Sequence, residues 1–272
     1  MGPVNARGGF DGAVPQAYEH YMVPLVFQPY ADDLAARVAS SRPTSVLEIA
    51  AGTGVLTRRL CDRLPPESLL VATDLNPAML AHAASVGTRR PVQWQCADAM
   101  RLPFPDALFD AVTCQFGAMF FPEKAVAYAE TRRVLRPGGR FVFNVWDDIA
   151  HNDFASTIEQ ALATVFPEDP PRFMRRIPHG YGKITTILAD LAAAGFVEPP
   201  EVTILERTSH APSPRWVARA FCLGTPLRGE IEARDAMRLD EAIAIAADAI
   251  AARFGSGPLE ARMQAHVFSV TR

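Results

Sequence analysis

Between Ser45 and Trp146, short apolar segments alternate with segments of helical spacing. The strand-like segments are "SVLEIA", "SLLVATDL", "VQWQCAD", "FDAVTCQFG" and "RPGGRFVFNVW"; helical ones such as "GVLTRRLCDRL" and "NPAMLAHAASV" separate them. Consecutive strands that run in the same direction need a crossover between them, and the crossover is usually a helix. Five strands in this pattern predict an α/β fold whose parallel sheet is covered on both faces.

The pattern loosens after Trp146. Helical spacing predicts helices over 153–166, 184–194, 215–223 and 238–254, and two more strands are predicted at Val202–Thr208 and Met263–Thr271. Ahead of the first strand, residues 15–39 also have helical spacing, and Pro24 and Pro29 predict that this segment is broken into two short helices. No internal repeat or low-complexity linker divides the chain, which favours one domain with helical additions.

Composition and charge exclude several classes of protein. A net charge of −3 gives no general electrostatic reason to bind nucleic acid or an acidic membrane. The four cysteines form no C-x-x-C pair, so neither structural zinc nor a disulfide framework is expected. The Gly-rich N-terminus lacks the apolar core of a signal peptide, and no apolar run reaches membrane-spanning length. A reducing, cytoplasmic location is therefore expected.

The segment "VLEIAAGTGVLT" runs from the first strand through Gly52-Thr53-Gly54 into a helix. Glycines here let a ligand approach the backbone, and the free amides at the helix start favour a polar or anionic group. The spacing departs from the dinucleotide pattern G-x-G-x-x-G/A, because Thr57 stands at the third small position. No Gly-Lys-Ser/Thr follows, so a phosphate-binding P-loop is disfavoured. A tight turn without a ligand stays open.

Two carboxylates follow the next strands. Asp74 ends the second strand about 20 residues after Gly54, where an acid can accept both hydroxyls of a ribose; alternatively, Asp74 or Asn76 caps the next helix. Asp98 follows the third strand and can accept a hydrogen bond from an exocyclic amine such as that of adenine. Open α/β sheets bind ligands at the carboxyl ends of their strands, where all these features fall.

These segments together resemble the class I S-adenosylmethionine-dependent methyltransferases, in the broad branch that includes the ubiquinone/menaquinone-biosynthesis enzymes. "VLEIAAGTG" resembles the first family motif and "ATDLNPAML" the second. "CADAMRLPFPDALFDAVTCQFGAMFF" and "ETRRVLRPGGRFVF" resemble the later blocks. The resemblance is dense over residues 46–146 and extends loosely to "YEHYMVPLVFQPYADDL". It implies a Rossmann-like, doubly wound, mixed seven-stranded sheet with helical lid additions at the N-terminus and between the last two strands.

The resemblance also implies a division of the single domain, residues 1–272. Residues 1–45 would form an N-terminal helical cap, 46–146 the cofactor-binding core, and 147–272 the substrate-side helices and last strands. The implied cofactor is S-adenosyl-L-methionine, with S-adenosyl-L-homocysteine as product, and no metal is expected.

The implied cofactor contacts can be named one by one. For the methionine part, Glu48 would orient the turn and the ammonium group, the backbone at Ala50, Gly52 and Gly54 would lie against the chain, and Thr53 would add a contact in the same turn. For the nucleoside, Asp74 would hold the ribose, Leu75 and Met79 would flank the adenine, and Asp98 and Ala99 would recognise its edge. Gln115 would border the sulfonium. Glu48 as a strand-end acid and Met79 as ordinary core remain alternatives. Ala50 replaces the usual first glycine, and we expect it to be tolerated if its φ stays negative.

The helical additions are expected to form the substrate chamber. In "YEHYMVPLVF", Tyr18, Tyr21, Met22 and Phe27 are predicted to fold over the cofactor, although plain packing on the sheet would give the same spacing. The loop "RIPHGYGK" supplies His179 and Tyr181, the candidate catalytic or substrate-contacting residues. The arginines of "PPRFMRR" are interpreted as a solvated face or, alternatively, as a site for an anionic substrate group.

The predicted function is methyl transfer to a small, fairly hydrophobic acceptor by in-line displacement, achieved mainly through positioning. The expected partner is a small-molecule acceptor rather than nucleic acid, and a homodimer is possible. Two alternatives remain: an NAD-dependent oxidoreductase, and a non-catalytic S-adenosylmethionine-binding regulatory module.

Overall fold

The structure, a computed structural model, describes residue 10, residue 12 and residues 14–272. Its centre is one seven-stranded sheet in the order β3-β2-β1-β4-β5-β7-β6. The strands are β1 (Ser45–Ile49), β2 (Leu69–Asp74), β3 (Gln93–Cys96), β4 (Phe109–Gln115), β5 (Leu135–Trp146), β6 (Glu201–Ala211) and β7 (Leu259–Thr271). The first five are mutually parallel, and β7 lies antiparallel between β5 and β6. The predicted mixed seven-stranded α/β sheet is confirmed.

The helices fall into a core set and two additions. In the core set α3 (Val55–Arg63), α4 (Pro77–Val86) and α5 (Lys124–Val134) follow β1, β2 and β4. The N-terminal addition holds α1 (Val14–Ala17), a π-helical segment (Tyr18–Phe27) and α2 (Gln28–Ala39). After β5 come α6 (Asp153–Val165), α7 (Phe173–Arg176), α8 (Ile184–Ala193), α9 (Pro214–Gly224), α10 (Leu227–Asp235) and α11 (Leu239–Phe254).

The expected break at Pro24 and Pro29 is wrong. The chain stays helical from Val14 to Ala39, with a π-helical segment around Pro24 in which the N–H of Gln28 donates to the carbonyl of Val23. The wider π turn accommodates a residue that lacks an N–H. Pro29 lies in the first turn of α2, directly after the π-helical segment. The N-terminal addition is therefore one continuous helical element.

Two helices were not predicted. The four-residue α7 is too short to produce a periodic signal, and α10 contains Gly229 among charged residues, which conceals its single buried face of Leu227 and Ile231. Strands β6 and β7 are also longer than predicted, because they form an eleven-residue antiparallel pair. Among the described residues, no helix has the length and hydrophobicity needed to cross a bilayer.

The additions meet above the carboxyl ends of the strands. Helix α9 packs against α11 and against the π-helical segment, and α6 packs against α11 and β7. Gly224 marks the closest approach, since a Cβ there would lie 3.0 Å from Cγ of Met22 and 3.3 Å from the carbonyl oxygen of Ala17. The two additions therefore form one roof over the sheet.

Candidate functional site: a cofactor cavity and an aromatic chamber

The glycine turn after β1 is held by the end of β2. The N–H of Gly52 donates to Oδ2 of Asp74 at 2.8 Å, and the N–H of Ala51 donates to the carbonyl of Thr73 at 2.9 Å. Gly52 and Gly54 have φ values of 57° and 83°, in the left-handed region that glycine adopts without a Cβ penalty. The turn therefore exposes backbone rather than side chains at the tip of the strand.

Ala50 does not have the negative φ that was expected of it. Its φ is 55°, so the residue that replaces the usual glycine also lies in the left-handed region. Strain of this kind costs on the order of 1–3 kcal/mol and persists where the surrounding structure fixes the backbone. The methyl group of Ala50 faces Gly117, where a Cβ would lie only 2.4 Å from it. Gly117 leaves the space that Ala50 occupies.

A cavity opens at the tips of β1, β2, β3 and β4. Eight of the residues predicted from the sequence line it together: Ala50, Gly52, Asp74, Leu75, Met79, Asp98, Ala99 and Gln115. We call it the cofactor cavity.

Two carboxylates on its wall are already engaged with backbone. Asp74 accepts the N–H of Gly52 on one oxygen and that of Asn76 on the other, both at 2.8 Å. Burial raises its pKa, and these two hydrogen bonds oppose the shift. Asp98 accepts the N–H of Met100 at 2.9 Å. Each carboxylate oxygen can accept a second hydrogen bond, so both residues keep capacity for a ligand. Asn76, rather than Asp74, caps α4 by accepting from the N–H of Ala78.

The cavity fits a nucleoside joined to an amino acid. Asp74, Leu75, Met79 and Gly52 all line it. Asp74 would supply a carboxylate for sugar hydroxyls, Met79 and Leu75 an apolar platform, and Gly52 close backbone. Oε1 of Gln115 is a buried acceptor without a hydrogen-bond partner among the described residues, and a buried acceptor left unpaired is costly. An ammonium group in the cavity would satisfy it. The residues present therefore fit S-adenosylmethionine.

Three predicted contacts lie behind the cavity wall instead. Glu48 is 1% exposed, and its Oε2 accepts from Oγ1 of Thr57 at 2.6 Å. Burial raises the pKa of Glu48 to about 8, against which the Thr57 hydrogen bond acts. Thr53 is also buried, and Gly54 packs where a Cβ would approach Ala83 and Trp94 at 3.2 Å. These positions shape the turn and do not line either cavity.

A second cavity adjoins the first and is lined mainly by aromatic and apolar side chains. Met22 and Phe27 of the N-terminal addition belong to it, together with Trp146 of β5, Phe154 of α6 and Phe221 of α9. We call it the aromatic chamber. Tyr21, predicted beside Met22, lies outside both cavities, with its ring 4.7 Å from that of Trp216.

The loop "RIPHGYGK" places its two candidates differently. His179 lines the aromatic chamber, with Nδ1 2.8 Å from the carbonyl oxygen of Asp147. Tyr181 lines neither cavity. Its hydroxyl donates to Asp190 at 2.5 Å and lies 3.3 Å from that of Tyr128. Of the nearby arginines, Arg175 and Arg176 form ion pairs with Glu159 and Glu230.

Four aromatic residues line both cavities: Phe10, Tyr18, Phe116 and Phe120. Phe116 has a φ of 51°, its N–H donates to Oδ1 of Asn144 at 2.9 Å, and its ring stacks on that of Trp146 at 3.9 Å. Residues held in such a backbone conformation cluster at functional sites. Of these four residues, the sequence singled out only Tyr18, as part of the N-terminal segment expected to fold over the cofactor. The one available signal was the aromatic content of "YEHYM" and "CQFGAMFF".

Comparison with known proteins agrees with this geometry. Residues 47–143 match a family model described as a methyltransferase domain. The demethylmenaquinone methyltransferase of Deinococcus radiodurans is 36% identical over 49% of this chain and 56% of its own length. The ubiquinone/menaquinone biosynthesis C-methyltransferase UbiE of Saccharophagus degradans is 30% identical over 56% of this chain and 67% of its own length. The chain thus spans little more than half the length of several curated relatives it matches.

Solved structures share the fold at low identity. A Bacillus halodurans protein described as a candidate methyltransferase has a TM-score of 0.56 at 20% identity, over 89% of this chain and 97% of its own. Phosphoethanolamine N-methyltransferase 2 of Haemonchus contortus, solved with S-adenosyl-L-methionine, has a TM-score of 0.60 at 15% identity, over 100% of this chain and 60% of its own. With its strand-tip cavity and these relatives, the chain belongs to the class I S-adenosylmethionine-dependent methyltransferases, in the UbiE-like branch.

Proposed function

We propose that this chain transfers the methyl group of S-adenosylmethionine to a small, largely apolar acceptor held in the aromatic chamber. The observation that carries the proposal is the common wall of Phe10, Tyr18, Phe116 and Phe120 between the two cavities. A ligand at the strand tips and one in the chamber would meet along this wall. The residues at the strand tips serve the cofactor, and the additions after β5 serve the acceptor.

S-adenosylmethionine, when bound, supplies a methyl group that is already activated by its sulfonium. The chain's own residues therefore bind, orient and exclude water. Asp74 holds the sugar hydroxyls, Gln115 accepts from the ammonium group, and Asp98 recognises the adenine edge. The charge of the sulfonium is dispersed as the methyl group moves to the acceptor, so the apolar walls around the common wall stabilise the transition state relative to the charged ground state.

The names of the relatives support a quinone-like ring as one acceptor to test. Demethylmenaquinone is the substrate in the name of the Deinococcus radiodurans protein. The aromatic lining of the chamber, with Phe116 stacked on Trp146, is suited to a planar ring. The acceptor class proposed here is thus a small aromatic molecule, with a quinone-like ring as one member of it.

Two measurements test the proposal. Calorimetry should show that S-adenosylmethionine binds and NADH does not; preferential binding of NADH would favour an oxidoreductase. Release of S-adenosylhomocysteine should then be found with members of a panel of phenols, quinones and amines. Tight binding of S-adenosylmethionine without release across the panel would favour a non-catalytic module.

A further inference from the structure

The aromatic chamber contains few polar side chains, and three of them are occupied by backbone partners. Besides the indole N–H of Trp146, the polar side chains on its wall are Tyr18, Asn152, His179, Ser209, Thr225 and Arg262. Asn152 donates to the carbonyls of Asp148 and Gln264 and accepts from the N–H of Gln264. The hydroxyls of Ser209 and Thr225 donate to the carbonyls of Leu25 and Phe221. These three residues are part of the chamber's scaffold.

The other three differ in where they lie. Arg262 is exposed and donates to the carbonyl of Ala150 at 3.2 Å, which places it at the edge of the chamber. Tyr18 also lines the cofactor cavity. His179, only 8% exposed, belongs to the chamber alone. Among these three, His179 is thus the interior polar group that belongs to the chamber alone, and unlike the indole of Trp146 it carries a nitrogen that can accept a hydrogen bond.

The hydrogen bond to Asp147 fixes the tautomer of His179. A carbonyl oxygen can only accept, so Nδ1 must carry the proton and donate to it. Nε2 then bears a lone pair, and it makes no hydrogen bond with any described residue. Burial lowers the pKa of His179 to about 4, which keeps the ring neutral near pH 7. Nε2 is therefore an acceptor and not a donor.

We propose that His179 determines acceptor specificity by accepting a hydrogen bond, through Nε2, from a hydroxyl on an aromatic substrate. The ring of His179 lies 6.0 Å from that of Trp146, which itself stacks on Phe116 at the common wall. A hydroxylated ring lying on these aromatic walls can donate to Nε2. Rings whose oxygens are only ethers or carbonyls would leave Nε2 unpaired in an apolar site, which disfavours them. Within the quinone-like class, the reduced ring that carries hydroxyls is therefore the favoured acceptor. The inference deepens the proposed function by naming the substrate class.

The test compares 2-naphthol with 2-methoxynaphthalene, which differ in whether the oxygen can donate. Binding is measured by tryptophan fluorescence and calorimetry, with and without S-adenosylhomocysteine. The wild-type protein should bind 2-naphthol about tenfold more tightly than the ether, as one hydrogen bond predicts. Equal affinities, or no saturable binding of 2-naphthol, would overturn the inference.

A pair of variants separates specificity from folding. His179→Asn keeps an amide N–H in the position of Nδ1 and lacks Nε2, so we expect the preference for 2-naphthol to vanish while ether binding changes less than twofold. His179→Gln places an amide oxygen near the position of Nε2 and should retain part of the preference. If His179→Asn keeps the full preference with an unchanged Tm, His179 is not the group that recognises the hydroxyl.

The naphthol comparison does not depend on turnover. If S-adenosylmethionine fails to bind and the preference still depends on His179, the inference stands and the proposed function fails. If cofactor binding and turnover succeed and the preference is absent, the proposed function stands and this inference fails.

Discussion

At the residue scale, the cofactor cavity depends on side chains that also hold the backbone. Asp74 is the clearest case, because the carboxylate expected to hold the sugar also accepts the amides of Gly52 and Asn76. A variant at this position therefore changes both ligand binding and the turn. Any test of Asp74 needs a control carboxylate that organises backbone elsewhere.

Asp74→Asn should weaken binding of S-adenosylhomocysteine about tenfold or more, because charge-assisted hydrogen bonds to the sugar are lost. Calorimetry gives the dissociation constant. The control is Asp110→Asn at the start of β4, whose carboxylate accepts the amides of Thr44 and Ser45 far from the cavity. The control should lower Tm and leave the dissociation constant unchanged. Unchanged affinity in Asp74→Asn itself would count against the cofactor assignment.

Gly117→Ala should destabilise the protein by about 1–3 kcal/mol, the usual cost of overpacking. The new Cβ would lie 2.4 Å from that of Ala50 and 2.8 Å from Sγ of Cys114. Adding Ala50→Gly should recover part of the loss, since it removes one of the two clashes and relieves a positive φ. Urea unfolding measures both effects. Gly229→Ala, with nothing within 4 Å of its Cβ position, is the control and should not destabilise.

Glu48 should make stability fall as pH rises. Burial raises its folded-state pKa to about 8, above the ordinary value of 4.5, so the folded state holds the proton more tightly than the unfolded state. The contribution is complete below about pH 4.5 and is lost as pH rises through about 8. Glu48→Gln cannot titrate, so its free energy of unfolding should lose less between pH 6 and pH 9. Parallel pH profiles for the two proteins would contradict the raised pKa.

At the scale of elements, the roof depends on the contact between α9 and the N-terminal π-helical segment. Gly224→Ala inserts a Cβ 3.0 Å from Met22, and both Met22 and Phe221 of α9 line the aromatic chamber. We expect the affinity for a chamber ligand such as 2-naphthol to fall several-fold, with that for S-adenosylhomocysteine changing less than twofold. Gly257→Ala, which has no neighbour within 4 Å, should change neither affinity.

The sequence predicted the cofactor side of the site better than the acceptor side, for a topological reason. Ala50, Asp74, Asp98 and Gln115 each lie at the carboxyl end of a strand or just after it. The tips of parallel strands meet at one edge of a sheet. Their grouping in space follows from alternation alone. The chamber instead joins Phe27, Trp146 and Phe221, whose meeting depends on how separate additions pack. Helical spacing shows that a face is buried, without showing which partner buries it.

Unusual backbone conformations also limited what could be predicted from the sequence. Ala50 and Phe116 adopt positive φ although neither is glycine, and residue type gave no sign of it. Asn144 accepts the N–H of Phe116 from a strand that is distant in the chain. The π-helical segment likewise continues through Pro24, where local propensity predicts a break. In each case the surrounding structure overrides a local preference.

At the scale of the whole molecule, the two cavities act as one site because they share walls. Phe10 lines both, its ring lies 6.0 Å from those of Tyr18 and Phe120, and its carbonyl accepts from Nδ2 of Asn76 at 3.3 Å. Phe10→Ala should therefore lower the affinity for S-adenosylhomocysteine and for 2-naphthol together, each several-fold. Phe10→Leu, which keeps apolar volume, should lose less. A loss confined to one ligand would show that the walls act separately.

The origin of the chamber wall has a consequence for how such a chain can diversify. Phe154, Phe173 and Phe221 come from helices after β5, whereas the strand-tip residues all come from before it. Substitutions in the later helices can alter which molecules are accepted while the half that holds the methyl donor stays intact. New acceptor preferences can thus arise, in nature or by design, through exchange of the C-terminal helical segments.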